Sequence, residues 1–209
     1  MNKEQIVIST AYLPSIEYFA FIAKSEVFFI ETAESYQKQS YRSRANILTA
    51  NGVQSLIIPI VHETQRALIR DVRIDYTCRW QLQHWRTIES AYSNSPYFLY
   101  YRDFLSPFYE KKYPFLFDFN WDLLQVLLKL FKINTESKFT EDYEHTYPGK
   151  SDLRTVLQKK KGHLLATIPY TQVFGEKFPF TPNLSIIDLL FNCGGDQQYL
   201  EKLHSQSNI

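Results

Sequence analysis

The sequence predicts an α/β fold: a small, mainly parallel sheet opened by a βαβ unit, flanked by helices, with a helical second half. Three observations carry this. A β-branched run at residues 5–10, a short amphipathic stretch and an apolar run at residues 26–32 follow one another within about 30 residues, the span of a βαβ unit. Beyond residue 79 apolar residues recur at helical spacing. A chain of 209 residues with 44% hydrophobic and 22% charged side chains has the composition of a globular protein and can fill one core. No internal repeat, low-complexity tract or clean linker divides it, so one domain over residues 1–209 is expected.

The elements follow in order. Residues 5–10 are the first strand. Residues 11–15 form a loop, and Ser15 is the N-cap of a helix over Ile16–Lys24 whose Ile16, Phe19, Ala20 and Ala23 share a face. Residues 26–32 are a buried second strand, joined to the first by a right-handed crossover. Residues 35–46 are polar and basic, and Asn51-Gly52 signals a turn. Residues 53–61 predict a third strand, placed at an edge or ended by Pro59, and residues 67–76 a fourth. From Arg79 a helix puts Leu82, Trp85, Ile88, Glu89 and Tyr92 on one face. Ser95-Pro96 opens a second helix and Ser106-Pro107 restarts it. Residues 120–132 form a buried helix, with Asp122 at its start and Lys129 and Lys132 at its end to suit the helix dipole. Residues 135–150 read as loop, 151–161 as a short helix, 162–183 as strand fragments and loop. Residues 184–193 form the last helix, stopped by Gly194.

Composition excludes several functions. The formal charge is +1, too little for binding a long polyanion, so no nucleic-acid partner is expected. No apolar run reaches transmembrane length or has the pattern of a leader, and the only cysteines are Cys78 and Cys193, so the chain reads as cytoplasmic and reduced. The histidines (His62, His84, His145, His163 and His204) have no metal-ligand spacing, so no metal site is expected. A GxSxG elbow, a P-loop and a GxGxxG fingerprint are all missing, and no cofactor is named by the residues.

Charge is distributed unevenly. Residues 42–102 hold eight of the nine arginines, no lysine and four acids. Arginine grips carboxylate or phosphate with two parallel bonds, so this segment suits a local anion. Its arginines also suit pairing with acids across the fold, as Asp71 between Arg70 and Arg73 suggests. If residues 35–46 are extended, Lys38, Arg42 and Arg44 point to one side, beside Tyr41. The loop before the first helix adds the hydroxyls of Tyr12 and Ser15 and aims backbone N–H groups at whatever sits there. His84, flanked by Trp85 and Arg86, is a candidate general base. Ser185, Asp188 and Asn192 form a polar stripe on the last helix.

Six blocks, in order, resemble the WbqC-like protein family, most nearly its Bacteroides-type branch. They are AYLPSIEYFAFIAKSEVFFIE, ESYQKQSYRSRANILTANG, SLIIPIV, LIRDVRIDY, the stretch from WQLQHWRTIE to FLFDFN, and LSIIDLLFNCG. Familiar members open with Gln-Pro-x-Tyr-Leu-Pro-Trp-x-Gly-Tyr-Phe. This chain keeps Tyr12, Leu13, Pro14, Tyr18 and Phe19, but has Ser9 and Thr10 for Gln-Pro, Ser15 for Trp and Glu17 for Gly. The basic patch is kept as Lys38, Arg42 and Arg44, with Ser43 where Asn is usual. His84, Trp85 and Asp188 match later motifs. The resemblance implies a bacterial protein of surface-polysaccharide gene clusters and carries no assigned catalytic residues.

Two functions follow as expectations. One is an enzyme of surface-polysaccharide or sugar modification. It transfers an acyl, aminoacyl or related group and uses a phosphate-bearing substrate, sugar-nucleotide or CoA-like. Tyr12, Ser15, Lys38, Tyr41, Arg42, Arg44, Arg70 and Arg73 bind that substrate, His84 is the base and Asp188 orients it. The other is a non-catalytic binding or scaffold protein using the same Arg-rich face for an anionic ligand or partner protein.

Overall fold

The computed structural model describes residues 4–157 and 164–205. The expected opening is there: β1 (Gln5–Ser9), α1 (Ile16–Lys24) and β2 (Val27–Glu31), the two strands parallel with Ser9 opposite Glu31. Ser15 caps α1 by accepting the Tyr18 N–H at 3.4 Å, as its residue type predicts. Alternation along the strands sends Ile6, Ile8, Phe28 and Ile30 into the main core.

The rest of the sheet comes from elsewhere than expected. Its order is β5-β2-β1-β6, parallel throughout, with β5 at Glu136–Phe139 and β6 at Ser151–Asp152. Residues 135–150, read as loop, thus contain a strand. Residues 151–161, read as helix, begin with β6 and a turn, and residues 158–161 lie outside the described set. Both strands are short edge strands with polar sequences, so neither leaves an apolar run to detect.

Residues 53–61 do not join this sheet. β3 (Arg44–Thr49) and β4 (Gly52–Ile57) form a separate antiparallel hairpin, turning at Asn51-Gly52 with Gly52 at φ +94°. Arg44 and Asn46 are half-buried while Ala45 and Ile47 are buried, an alternation the basic composition hid. Residues 67–76 are not a strand either. Ile69–Asp71 is a 3-10 turn, and Leu68, Arg73 and Ile74 make only isolated bridges, to Ser35, Phe115 and Ile60.

The helices are α2 (Trp80–Tyr92), α3 (Phe98–Leu105), α4 (Leu116–Leu130), α5 (Ile186–Cys193) and α6 (Gln197–Ser205). α2 buries Trp80, His84, Ile88, Ala91 and Tyr92, a face rotated from the expected one, and Leu82 is exposed. The inner face is fixed by the rings that α2 meets: Trp80 packs edge-on to Phe119 of α4 at 5.8 Å. Ser95 does not cap α3; its Oγ donates to the Tyr92 carbonyl at 2.6 Å. Ser106-Pro107 begins a 3-10 turn, and α4 starts at Leu116, four residues earlier than expected. α6 was not foreseen. The chain reaches it through Gly195, where a Cβ would lie 2.0 Å from the Leu130 carbonyl oxygen, so only glycine passes.

The segment between β5 and β6 reaches over the second face of the sheet, and the chain after β6 continues along its edge. Lys150 lies over the Phe29 ring at 4.3 Å, and the Leu153 N–H bonds the Val7 carbonyl at 2.8 Å. No described helix is long and apolar enough to cross a membrane.

Candidate functional site

Chain order and strand order part company at β1. The chain leaves β1 for β2 and β5 on one side and returns to pair β6 on the other. Loops that diverge from such a point open a crevice at the carboxyl ends of the strands. A small cleft, with room inside for about one water molecule, lies there. Ser9 ends β1, and Thr10 and Ala11 follow it; Leu153, Arg154 and Leu157 follow β6; Ser15, Tyr18, Ser40, Tyr41 and Arg42 complete its lining.

Its cations are already matched. Arg42, 3% exposed, forms a two-pronged pair with Glu34: Nε donates to Oε1 at 2.8 Å and Nη2 to Oε2. Nη2 also donates to the Ser9 hydroxyl at 2.9 Å, which donates to Glu34 Oε2 at 3.0 Å. Asn120 of α4 holds the Arg42 carbonyl from beneath at 2.8 Å. Across the cleft, Arg154 donates to Glu31 Oε2 at 2.8 Å and to Asp152 at 2.9 and 2.6 Å. These bonds raise Arg154 above the ordinary guanidinium range and hold Asp152 below the usual carboxylate range against its burial. Glu31 is fully buried and also accepts from Thr140, Tyr147 and the Ala33 N–H.

Of the residues the sequence singled out, Ser15, Tyr41 and Arg42 meet in the cleft. Lys38 is exposed in the preceding turn, and Arg44 begins β3. Arg42 lies in a turn, so the alternation that would align it with Lys38 and Arg44 does not apply. Arg70 and Arg73 are exposed away from the cleft, Arg70 4.0 Å from Asp71. The amides at the start of α1 are taken. The Ile16 N–H donates to the Leu184 carbonyl, that of Glu17 to Asn183 Oδ1, that of Tyr18 to Ser15. They are not aimed at a ligand.

Tyr12 turns away from the cleft into the core. Its hydroxyl lies 3.0 Å from His84 Nδ1 and 2.9 Å from the Tyr109 hydroxyl. The Ile57 N–H donates to His84 Nε2 at 3.2 Å, so Nδ1 carries the hydrogen and donates to Tyr12. Both ring nitrogens are engaged, and burial lowers the imidazole to about 4. His84 in this state orders the core; it has no lone pair for a substrate proton. Protonating it requires breaking the Ile57 bond. Stability from neutral His84 is therefore present above its unfolded value near 6.5 and is lost as pH falls toward 4, a difference of about 3 kcal/mol. Urea unfolding at pH 7 and pH 4 should show a larger loss for the wild type than for His84→Gln, whose amide accepts and donates without titrating; equal losses would refute this role.

Asp188 is 1% exposed and accepts from Tyr92 at 2.9 Å, Tyr170 at 2.5 Å and Gln172 at 3.0 Å. Burial raises its carboxyl, and these bonds oppose the rise. Among the described residues it shares no hydrogen bond with His84. The rest of the polar stripe is structural too: Ser185 caps α5, and Asn192 donates to the Asp188 carbonyl at 2.8 Å.

Sequence reasoning missed Ser9, Glu31, Glu34 and Arg154. One signal pointed to Arg154: it is the single arginine among eleven lysines in residues 103–209, and a fork of donors is what two buried carboxylates need.

Residues 10–163 match the WbqC-like protein family. The chain belongs to this family. The matched span contains every cleft residue except Ser9, and α5 and α6 lie beyond it. The uncharacterized protein Rv1507c of Mycobacterium tuberculosis is 28% identical over 224 residues, covering 93% of this chain and 95% of its own. No solved structure matches the chain.

Proposed function

We propose that this WbqC-like protein is an enzyme of surface-polysaccharide or sugar modification. In this reading the sugar part of a phosphate-bearing substrate docks against the mouth of the cleft beside β1 while an acyl, aminoacyl or related group is transferred. The position of the cleft carries the reading. It lies at the carboxyl edge of a parallel sheet where strand order reverses, the place such folds use for ligands. Its chemistry supports the sugar. Ser9, Thr10, Ser15, Ser40 and Tyr41 line it, and its two guanidinium groups face three carboxylates, Glu34, Glu31 and Asp152, so no positive charge is left over for an anion. A neutral, hydroxyl-rich group exchanges hydrogen bonds with such a wall without charge mismatch. The phosphate end then stays outside the cleft, and Lys38, exposed two positions before the cleft residue Ser40, is the cation proposed to meet it.

A thermal-shift panel tests this with sugar nucleotides, the same nucleotides without sugar, acyl-CoAs and inorganic phosphate. A sugar nucleotide at about 100 times its Kd adds about 2.7 kcal/mol, a shift of several degrees. Thr10→Val and Tyr41→Phe should each weaken it about five- to tenfold. A shift given equally by the sugar-free nucleotide would reject the sugar reading, and a flat panel would reject the site. The second reading, a non-catalytic binding protein, draws on Arg70 and Arg73, which stay exposed outside the cleft. It predicts a bound ligand recovered unchanged by mass spectrometry, and binding lost in Arg70→Ala/Arg73→Ala.

A further inference from the structure

The cleft beside β1 admits about one water molecule as it stands, and one of its walls is held mainly by polar contacts. That wall, Leu153, Arg154 and Leu157, belongs to residues 141–157. Within 141–157 only Tyr147 and Arg154 are buried. Both donate to the same atom, Glu31 Oε2, at 2.7 and 2.8 Å. Leu153 and Leu157 pack half-buried against the core. The other ties lie at the edge of the sheet: the β6 ladder, the Leu153 N–H on the Val7 carbonyl, Ser151 on Glu4, and Lys150 over Phe29.

We propose that residues 141–157 are a strap that swings off the sheet about Thr140, with Glu31 as its latch. The motion opens the cleft to a ligand larger than water, an inference that rests on the cleft being the substrate site. The distribution of bonds carries it, because the strap is bonded within itself. On leaving Glu31, Arg154 keeps Asp152, at 2.9 and 2.6 Å, and the Glu144 carbonyl at 2.8 Å. The Tyr147 hydroxyl keeps the Asp142 carbonyl at 3.1 Å. On the sheet side, Glu31 Oε1 keeps the Thr140 hydroxyl and the Ala33 N–H, at 2.8 and 2.9 Å, and Oε2 takes water. Both partners of the buried pair thus return to water together, which costs far less than removing one and stranding the other. Thr140 stays with β2. Its N–H bonds the Ile30 carbonyl at 3.1 Å, and it accepts from the Thr32 N–H and hydroxyl at 3.2 and 3.0 Å. The facing wall stays too, since Glu34 grips the Arg42 side chain and Asn120 of α4 its carbonyl.

Two measurements on the ligand-free protein test the strap. In hydrogen exchange, the Leu153 amide and the others of the β1–β6 ladder should share one opening free energy. They should be protected about 100-fold less than the buried amides of α4, and respond little to sub-denaturing urea. In Thr10→Cys the new thiol lines the cleft. N-ethylmaleimide, read at that residue by peptide mass, should label it with the same weak urea dependence, and about tenfold faster when Glu31→Gln is added. Exchange of the ladder amides by global unfolding alone would overturn the proposal. So would labelling at a rate that Glu31→Gln leaves unchanged. Neither measurement uses a sugar. A moving strap beside a flat thermal-shift panel rejects the substrate reading, and a static strap beside a positive panel rejects the gate.

Discussion

Glu34→Ala should lower the unfolding free energy by about 3–5 kcal/mol, the cost of leaving a buried guanidinium without its carboxylate. Arg42 and Glu34 are 3% and 6% exposed in their side chains, so water cannot replace the missing partner. Arginine cannot escape by losing its proton. The reverse change, Arg42→Ala, strands a buried carboxylate and should cost a similar amount. The double substitution Glu34→Leu/Arg42→Met should cost much less than the two single alanine changes together, because the desolvation of both charges disappears with them. Urea midpoints for the four proteins at pH 7 check this. Additive costs would show that the pair is not the unit described. Ser9 would also lose its bond to the Glu34 carboxylate. Thr10 and Tyr41 contact neither partner through side-chain bonds, so binding tests there are separable from this stability test.

Glu31 is the second large expectation. Its buried carboxylate gathers Arg154, Tyr147, Thr140 and the Ala33 N–H, and so ties segment 140–157 to β2. Glu31→Ala removes all four acceptor contacts and should cost about 3–5 kcal/mol. Glu31→Gln keeps the shape, and Asp152 still pairs Arg154, so about 1–2 kcal/mol is expected. Hydrogen exchange distinguishes local from global loss. The Leu153 amide, bonded to the Val7 carbonyl, should exchange far faster in Glu31→Ala, while amides of α4 should change only by the global loss. Unchanged exchange at Leu153 would mean that the segment is held by something other than Glu31.

The candidate site was legible only in part. Arg42, Tyr41 and Ser15 stood out because they fall in an Arg-rich segment and in the loop after the first strand. His84 stood out by residue type, but residue type does not report that Ile57 and Tyr12 occupy both its nitrogens. The arginine segment looked like a phosphate grip. The fold instead used Arg42 to close a pair with Glu34 and left Arg70 and Arg73 outside. Glu34 and Glu31 carried no signal of their own, since a glutamate near a strand end looks like any solvated one until its surroundings are closed.

The sequence by itself determined the βαβ opening, the cap at Ser15, the turn at Asn51-Gly52 and the helical character of the second half. Each rests on side chains a few positions apart, and local periodicity records such relations. The tertiary structure alone decided which strands flank β1 and β2, which face of α2 is buried, and where the cleft opens. It brought Arg154 to Glu31 across 123 positions and Asn120 to Arg42 across 78. Two-residue β6 and polar β5 gain their strand geometry from the ladder of the neighbouring strand rather than from their own residues, and a buried ion pair acquires its energy only when both partners have left water.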